Sequence, residues 1–203
     1  TVFATLTLHL EMAILFAIVL SLLLYLNRTS RPALRSIVPD AASPTRKFRE
    51  RRAGEPECPQ LRMLRIEGSL YFGAVNHVGE YLQQIEERRP AQKHLLLLSK
   101  SMNFVDVAGA ELLAGEARRR RARGGALHFH GLRDASAAML FGRGFRHAFA
   151  PGARHATKRE AIAAIVATLD PGVCASCRAR IFEECRTLPA PDSPAPDRRS
   201  PAR

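Results

Sequence analysis

Apolar and polar positions divide this chain into three regimes. The first is an almost unbroken apolar run from Val2 to Leu26, interrupted only by His9 and Glu11. Leu6 to Leu26 is 21 residues, about 31 Å of helix at ~1.5 Å per residue, against a bilayer hydrocarbon core of ~30 Å. The run predicts one transmembrane helix over residues 1–27, with Glu11 near the outer interface or against a neighbouring helix. A cleaved signal peptide would need a basic start and a small-residue cleavage site. No Lys or Arg precedes the run, so a retained span is the expectation.

The second regime, residues 28–59, is rich in Arg, Pro, Ser and Ala and lacks apolar periodicity. It reads as a linker. The third, residues 60–170, alternates short apolar runs with helical patterns. Leu61–Ile66 and Leu70–Phe72 are strand candidates separated by Gly68. Val75, Val78, Leu82 and Ile85 recur at helical spacing and predict a helix over Ala74–Arg88, stopped by Pro90. His94–Ser99 has the continuous apolar character of a central strand buried on both faces. A second helix is expected over Val107–Arg123, with Leu112, Leu113 and Ala117 inward and Gly124-Gly125 at its end. Leu127 and Phe129 alternate with His128 and His130 in a further strand. Asp134–Phe141 reads as a short helix. Thr157-Lys158-Arg159-Glu160 is a capping box opening a last helix, whose apolar side is Ile162, Ile165, Val166 and Leu169. Strands alternating with helices predict an α/β fold with a mixed, mostly parallel sheet. Residues 171–203 form an extension with three cysteines, turning after Leu188 into a Pro/Ala/Asp/Arg tail expected to be disordered.

Charge sharpens this outline. Lys and Arg number 31 against 19 Asp and Glu, a formal charge of +12. The stretch Arg28–Arg52 carries eight basic residues and two acidic ones. The positive-inside rule then places this side, and everything after it, in the cytoplasm. Contact with anionic lipid head groups accounts for much of the basicity. The run Arg118, Arg119, Arg120, Arg121 and Arg123 has no interleaved aromatics for stacking bases. It reads as a solvated helix face and C-terminal turn, where cations suit the dipole. No nucleic-acid partner is expected.

Four cysteines in 203 residues are too sparse for a disulfide-stapled secreted scaffold. Cys58, Cys174, Cys177 and Cys185 could in principle supply four thiolates to a structural Zn²⁺. Only one close C-x-x-C pair is present, so free thiols are the leading expectation and no cofactor is required. His128 and His130 share a strand face, as candidate ligands or pH sensors or as a wetted sheet face. No Ser/His/Asp set, P-loop, dinucleotide-binding glycine pattern or H-E-x-x-H occurs, so an enzyme is not expected.

The most informative motif follows the buried strand: Asp106-Val107-Ala108-Gly109. Asp106 stands where the N-cap of the second helix should be. Gly109 permits a close approach at the first turn. A helix N-terminus also suits an anion.

Together these elements resemble the STAS domain, shared by sulfate-permease (SulP) anion transporters and bacterial anti-sigma-factor antagonists. The likeness covers about Leu61 to Leu169, through RIEGSLYFGAV, MNFVDVAGAELL and KREAIAAI. The segment LHLEMAILFAIVLSLLLYLNRTSRP is similar to the last membrane helix of SulP transporters. The antagonists carry Asp-Ser-Ser-Gly or Asp-Ser-Thr-Gly, phosphorylated on the second hydroxyl residue. That position is Ala108 here, which has no hydroxyl to modify. The resemblance implies the C-terminal fragment of a SulP-type secondary transporter of sulfate, bicarbonate or a related anion. Its STAS domain would be a cytoplasmic regulatory and assembly module in a bacterial inner-membrane protein. Asp106, Val107, Ala108 and Gly109 would form its regulatory or anion-binding loop. A transporter membrane domain upstream, a homodimer and a cytoplasmic protein partner are the implied associations. The alternative is a membrane-tethered, stand-alone STAS regulator of the antagonist type, without transport.

Overall fold

The computed structural model describes residues 10–40, 43, 47–142 and 144–188. The start of the apolar run, 41–42 and 44–46 of the linker, and the tail from 189 onward lie outside the described residues. Helix α1 (Leu10–Thr29) leads into strand β1 (Ala33–Pro39) and a short β2 (Phe48–Glu50). Then come β3 (Leu61–Leu70), α2 (Phe72–Arg88), β4 (His94–Leu98) and β5 (Met102–Val105). Helix α3 (Val107–Ala122), β6 (Leu127–His130) and α4 (Asp134–Phe141) follow. Strand β7 (Arg154–His155), α5 (Lys158–Val166) and α6 (Pro171–Ser176) complete the order.

The strands join one seven-stranded sheet in the order β2-β1-β3-β4-β6-β7, with β5 also on β3. The pairs β3–β4, β3–β5, β4–β6 and β6–β7 are parallel. Strand β1 is antiparallel to both its neighbours. The sheet is therefore mixed and mostly parallel. Every residue of β4 is buried, as expected of a central strand with helices over both faces. One face packs Leu64, Leu95, Leu97 and Phe129 against α2, α3 and α4. The other packs Met63, Leu96 and Leu98 against Ile162 and Ile165 of α5 and against Phe182.

Two expectations are corrected. Residues 28–59 are not a plain linker, because 33–39 and 48–50 are strands of the sheet. Strand β3 would otherwise expose a row of unpaired backbone groups. Strand β1 covers that edge in a register that sets Leu34 opposite Ile66. Its apolar signal is short, since only Ile37 and Val38 are deeply buried. The backbone ladder to β3 holds the rest, and Arg35 adds half-exposed ion pairs to Glu50 (2.7 Å) and Glu67 (3.2 Å). A strand that buries so few apolar residues reads as polar in sequence. Second, Leu61–Leu70 is one strand, not two. Gly68 lies inside it at a positive φ of 125°, and the pairing with β5 shifts register between Gly68 and Leu70. The glycine marks a bulge rather than a break.

The capping box at α5 forms as expected: Thr157 accepts from the Glu160 N–H and the Glu160 side chain reaches back. The side chains described in α1 span residues 11–26. Among the described residues no helix is long and apolar enough to cross a membrane. What α1 does show is apolar exposure on every side, from Leu20 at 44% to Tyr25 at 66%.

Candidate functional site

The Asp106–Gly109 loop sits where β5 hands over to α3. Strand β3 pairs with β4 over its first half and with β5 over its last residues. This carries the chain out to the end of β3 and delivers Asp106 beside the start of α2. The Asp106 N–H donates to the Leu70 carbonyl at 3.1 Å. One carboxylate oxygen of Asp106 accepts the Gly109 N–H at 2.8 Å, the expected N-cap of α3. The other accepts the Phe72 N–H at 3.0 Å, in the first turn of α2. A single carboxylate thus satisfies donors at two helix starts, which the spacing in the sequence did not reveal.

Gly109 is required by contact, not by backbone angle. It is buried, and a Cβ there would run into the Leu70 carbonyl oxygen. The first turn of α3 therefore packs directly on the end of β3. Ala108 is half-buried and Val107 is exposed at 61%. Both line an open groove with Val75, Leu112, Arg118 and Arg119, between α2 and α3. The loop consequently presents small apolar side chains and no hydroxyl to its surroundings. Phosphoryl transfer to Ala108 is chemically closed.

The arginine run is more structural than a solvated face. Arg120 is buried; its Nε donates to Glu116 Oε1 at 2.6 Å, and its Nη1 to the Gln92 and Lys93 carbonyls at 3.0 and 3.3 Å. Arg119 pairs with the other Glu116 oxygen. Arg121 donates to the Ala148 carbonyl, and Arg123 to the Pro90 carbonyl and to Glu86. Burial pulls the Arg120 guanidinium below its usual range, with Glu116 opposing that shift. These cations tie α3 to the β4 approach and to α2.

The four cysteines are free thiols. Among the described residues no group of three or more His, Cys, Asp or Glu side chains is placed to hold a metal ion. The zinc reading of Cys58, Cys174, Cys177 and Cys185 therefore has no geometric support. Cys58 and Cys174 instead belong to the apolar layer beneath α5 and α6. Burial pushes the Cys58 thiol up to about 11. Desolvation likewise raises Cys174 and Cys185.

The histidines gather more widely than the 128/130 pair suggested. His128 Nδ1 lies 3.1 Å from His155 Nε2, and the His94 ring stacks against His128 at 6.4 Å between centroids. His94 and His155 are buried, while His128 and His130 are half-buried. His94 Nδ1, His128 Nε2 and His130 Nδ1 are buried without a hydrogen-bond partner. Desolvation brings His128 down to about 4 and lowers His94, His130 and His155. His94 and His155 were missed because each occupies a different strand. Only the parallel register, which sets His130 opposite His155, joins them.

Comparison with known proteins agrees with this architecture. The STAS domain family matches residues 55–161. The murine Solute Carrier 26 family member A9 anion transporter, in its inward-facing state, shares the fold at a TM-score of 0.62 and 14% identity, over 81% of this chain and 27% of that one. A second SLC26A9 structure gives 0.57 and 12%, over 86% and 29%. This chain thus spans under a third of the length of either. A sulfate transporter family protein from Wolinella succinogenes aligns at 0.47 and 21%, over 64% and 97%. No curated protein matches the sequence. With more than half its length matched by one family, this chain belongs to the STAS domain family.

Proposed function

We propose that this chain is the C-terminal part of a SulP-type secondary transporter of inorganic anions such as sulfate or bicarbonate. In this reading α1 is its last membrane helix, in the bacterial inner membrane, and the STAS domain lies on the cytoplasmic side. The observation that carries the reading is α1 itself. Its side chains from Met12 to Leu26 are almost all large, apolar and exposed, which water does not tolerate around a whole helix. Lipid or neighbouring membrane helices would cover it. The shared fold with an anion transporter over 81% of this chain supports the same assignment.

One helix cannot form a transport pathway, because midplane anion sites need several discontinuous helices. Substrate binding therefore belongs to membrane segments outside this chain. The STAS domain's role is regulation and protomer assembly, including homodimer contact and binding of a cytoplasmic protein. Asp106 and Gly109 hold the shape of the Asp106–Val107–Ala108–Gly109 loop, and its groove side at Ala108 is the contact position. Since Ala108 has no hydroxyl, that binding is not switched by phosphorylation there. The basic residues before β1 meet anionic head groups, and no nucleic acid is involved.

The test is deletion of residues 61–188 from the intact transporter, followed by sulfate and bicarbonate uptake. Lost or altered uptake, membrane delivery or oligomeric state is expected. All three unchanged would refute a regulatory or assembly role.

A further inference from the structure

Outside α1, the exposed large apolar side chains among the described residues are Phe72 (77%), Phe104 (51%) and Val107 (61%). All three lie at one end of the sheet. The Phe72 N–H is bound to Asp106, Val107 follows Asp106, and Phe104 is two residues before it. Their backbones meet around Asp106, so the three exposed side chains lie at one tip of the sheet, and apolar exposure gathered at one place signals contact with something.

The same end of the sheet receives α1. The Ser30 N–H and Oγ donate to the Leu26 carbonyl at 3.0 and 2.8 Å, closing α1. Ser30 Oγ also lies 3.1 Å from the Tyr71 hydroxyl, either atom being the donor. Tyr71 immediately precedes Phe72, and their rings meet edge to face at 5.6 Å. Pro32 packs over Gly68 of β3. The end of α1 is therefore tied one residue from the tip. Arg31, exposed, stands at this end as a cation between α1 and β1.

We propose that the tip formed by Phe72, Phe104 and Val107 seats in the lipid head-group interface. This rests on the reading of α1 as a membrane helix. If α1 ends at the cytoplasmic interface, the Ser30–Tyr71 contact holds Phe72 at that level. Exposed apolar side chains held at the end of a membrane helix, with Arg31 beside it, suit an interface of acyl-chain tops and head groups. Docking there would fix the orientation of the domain, and of the groove beginning at Val107, relative to the bilayer.

The chain contains no tryptophan, so one introduced indole is a sole reporter. The full chain carrying Phe104→Trp is reconstituted in vesicles of phosphatidylcholine and phosphatidylglycerol. A second chain carries Arg88→Trp at the far end of α2. The Phe104→Trp emission is expected to be blue-shifted, shielded from acrylamide and lost in vesicles of brominated lipid. The Arg88→Trp emission should show none of these effects. A chain stripped from the vesicles by alkaline carbonate overturns both the membrane reading of α1 and the proposal. A retained chain whose Phe104→Trp indole is as accessible to acrylamide as Arg88→Trp overturns the proposal alone. So does an indole shielded from acrylamide but untouched by brominated lipid, which would mean that polypeptide covers the tip.

Discussion

Asp106 accepts the backbone N–H of Phe72 at 3.0 Å while its other carboxylate oxygen caps α3 through Gly109 at 2.8 Å. Residues 34 positions apart are thereby locked together at the end of the sheet that carries the Asp-x-x-Gly loop. The motif is a structural clamp before it is anything else.

Removing that clamp has a definite cost. Asp106→Ala leaves donors at both helix starts without their acceptor and should destabilise the domain by about 1–2 kcal/mol, the range of a lost N-cap. Asp106→Asn keeps one side-chain oxygen as acceptor and should cost less. Gly109→Ala places a methyl against the Leu70 carbonyl and should cost about 1–3 kcal/mol as overpacking. Urea unfolding of the three variants checks the order. An unaltered midpoint for Asp106→Ala would show that water replaces both bonds freely.

Glu116 and Arg120 are both buried, and they form a pair at 2.6 Å. Glu116→Ala strands a guanidinium in the interior and should cost about 3–5 kcal/mol. Replacing both residues by apolar ones of similar volume should recover part of the loss. Arg118→Ala, on the exposed side of the same run, should fall within about 0.5 kcal/mol of wild type. Thermal denaturation separates these cases. Equal effects at Glu116 and Arg118 would mean that the whole run is a solvated face after all.

Acid should loosen the face of the sheet beneath α5. His128 is brought down to about 4 from 6.5, and His94, His130 and His155 are lowered as well, each mainly by burial. Nearby cations add to this: Arg120 and Lys93 at His94, and Lys158 and Lys100 at His130. A backbone hydrogen bond with His155 opposes it at His130, and Glu160 opposes it at His155. Above pH 6.5 these rings are neutral in both folded and unfolded chains and stability does not depend on them. As pH falls from 6.5 toward 4, the unfolded chain takes up protons that the folded one excludes, so stability declines through that window. His128→Gln should flatten the decline. A denaturation midpoint that stays level as the pH falls through this window would contradict the burial of the cluster.

The cysteines should behave as structural thiols. With Cys58 pushed up to about 11 and Cys174 and Cys185 raised, little thiolate exists at neutral pH. Iodoacetamide should modify the buried Cys58 and Cys174 slowly in the native chain and quickly in denaturant, with half-exposed Cys177 ahead of both. Rapid native labelling of Cys58 would place it at the surface.

What the sequence made legible follows from how each signal is encoded. Helix α2, the buried strand β4 and the Thr157 capping box rest on periodicity or local chemistry within one segment, and each stands where its pattern put it. Strand β1 was hidden because its pairing with β2 and β3 runs through backbone groups and buries only Ile37 and Val38 deeply. Strand β5 was hidden because Met102–Val105 is four residues long and takes its structure from the end of β3. The N-cap role of Asp106 is local and could be read directly. Its bond to Phe72, the His94–His128–His155 cluster and the apolar tip depend on register and topology, which no spacing along the chain contains.

The transporter reading requires this STAS domain to follow the membrane domain of an anion transporter. Reading the coding DNA for several hundred codons upstream of Thr1 tests it most directly. The account predicts one continuous frame encoding many apolar spans and joining α1 without interruption. A start codon immediately before Thr1, with a ribosome-binding site and no upstream spans, would contradict it and leave a membrane-tethered STAS regulator that transports nothing.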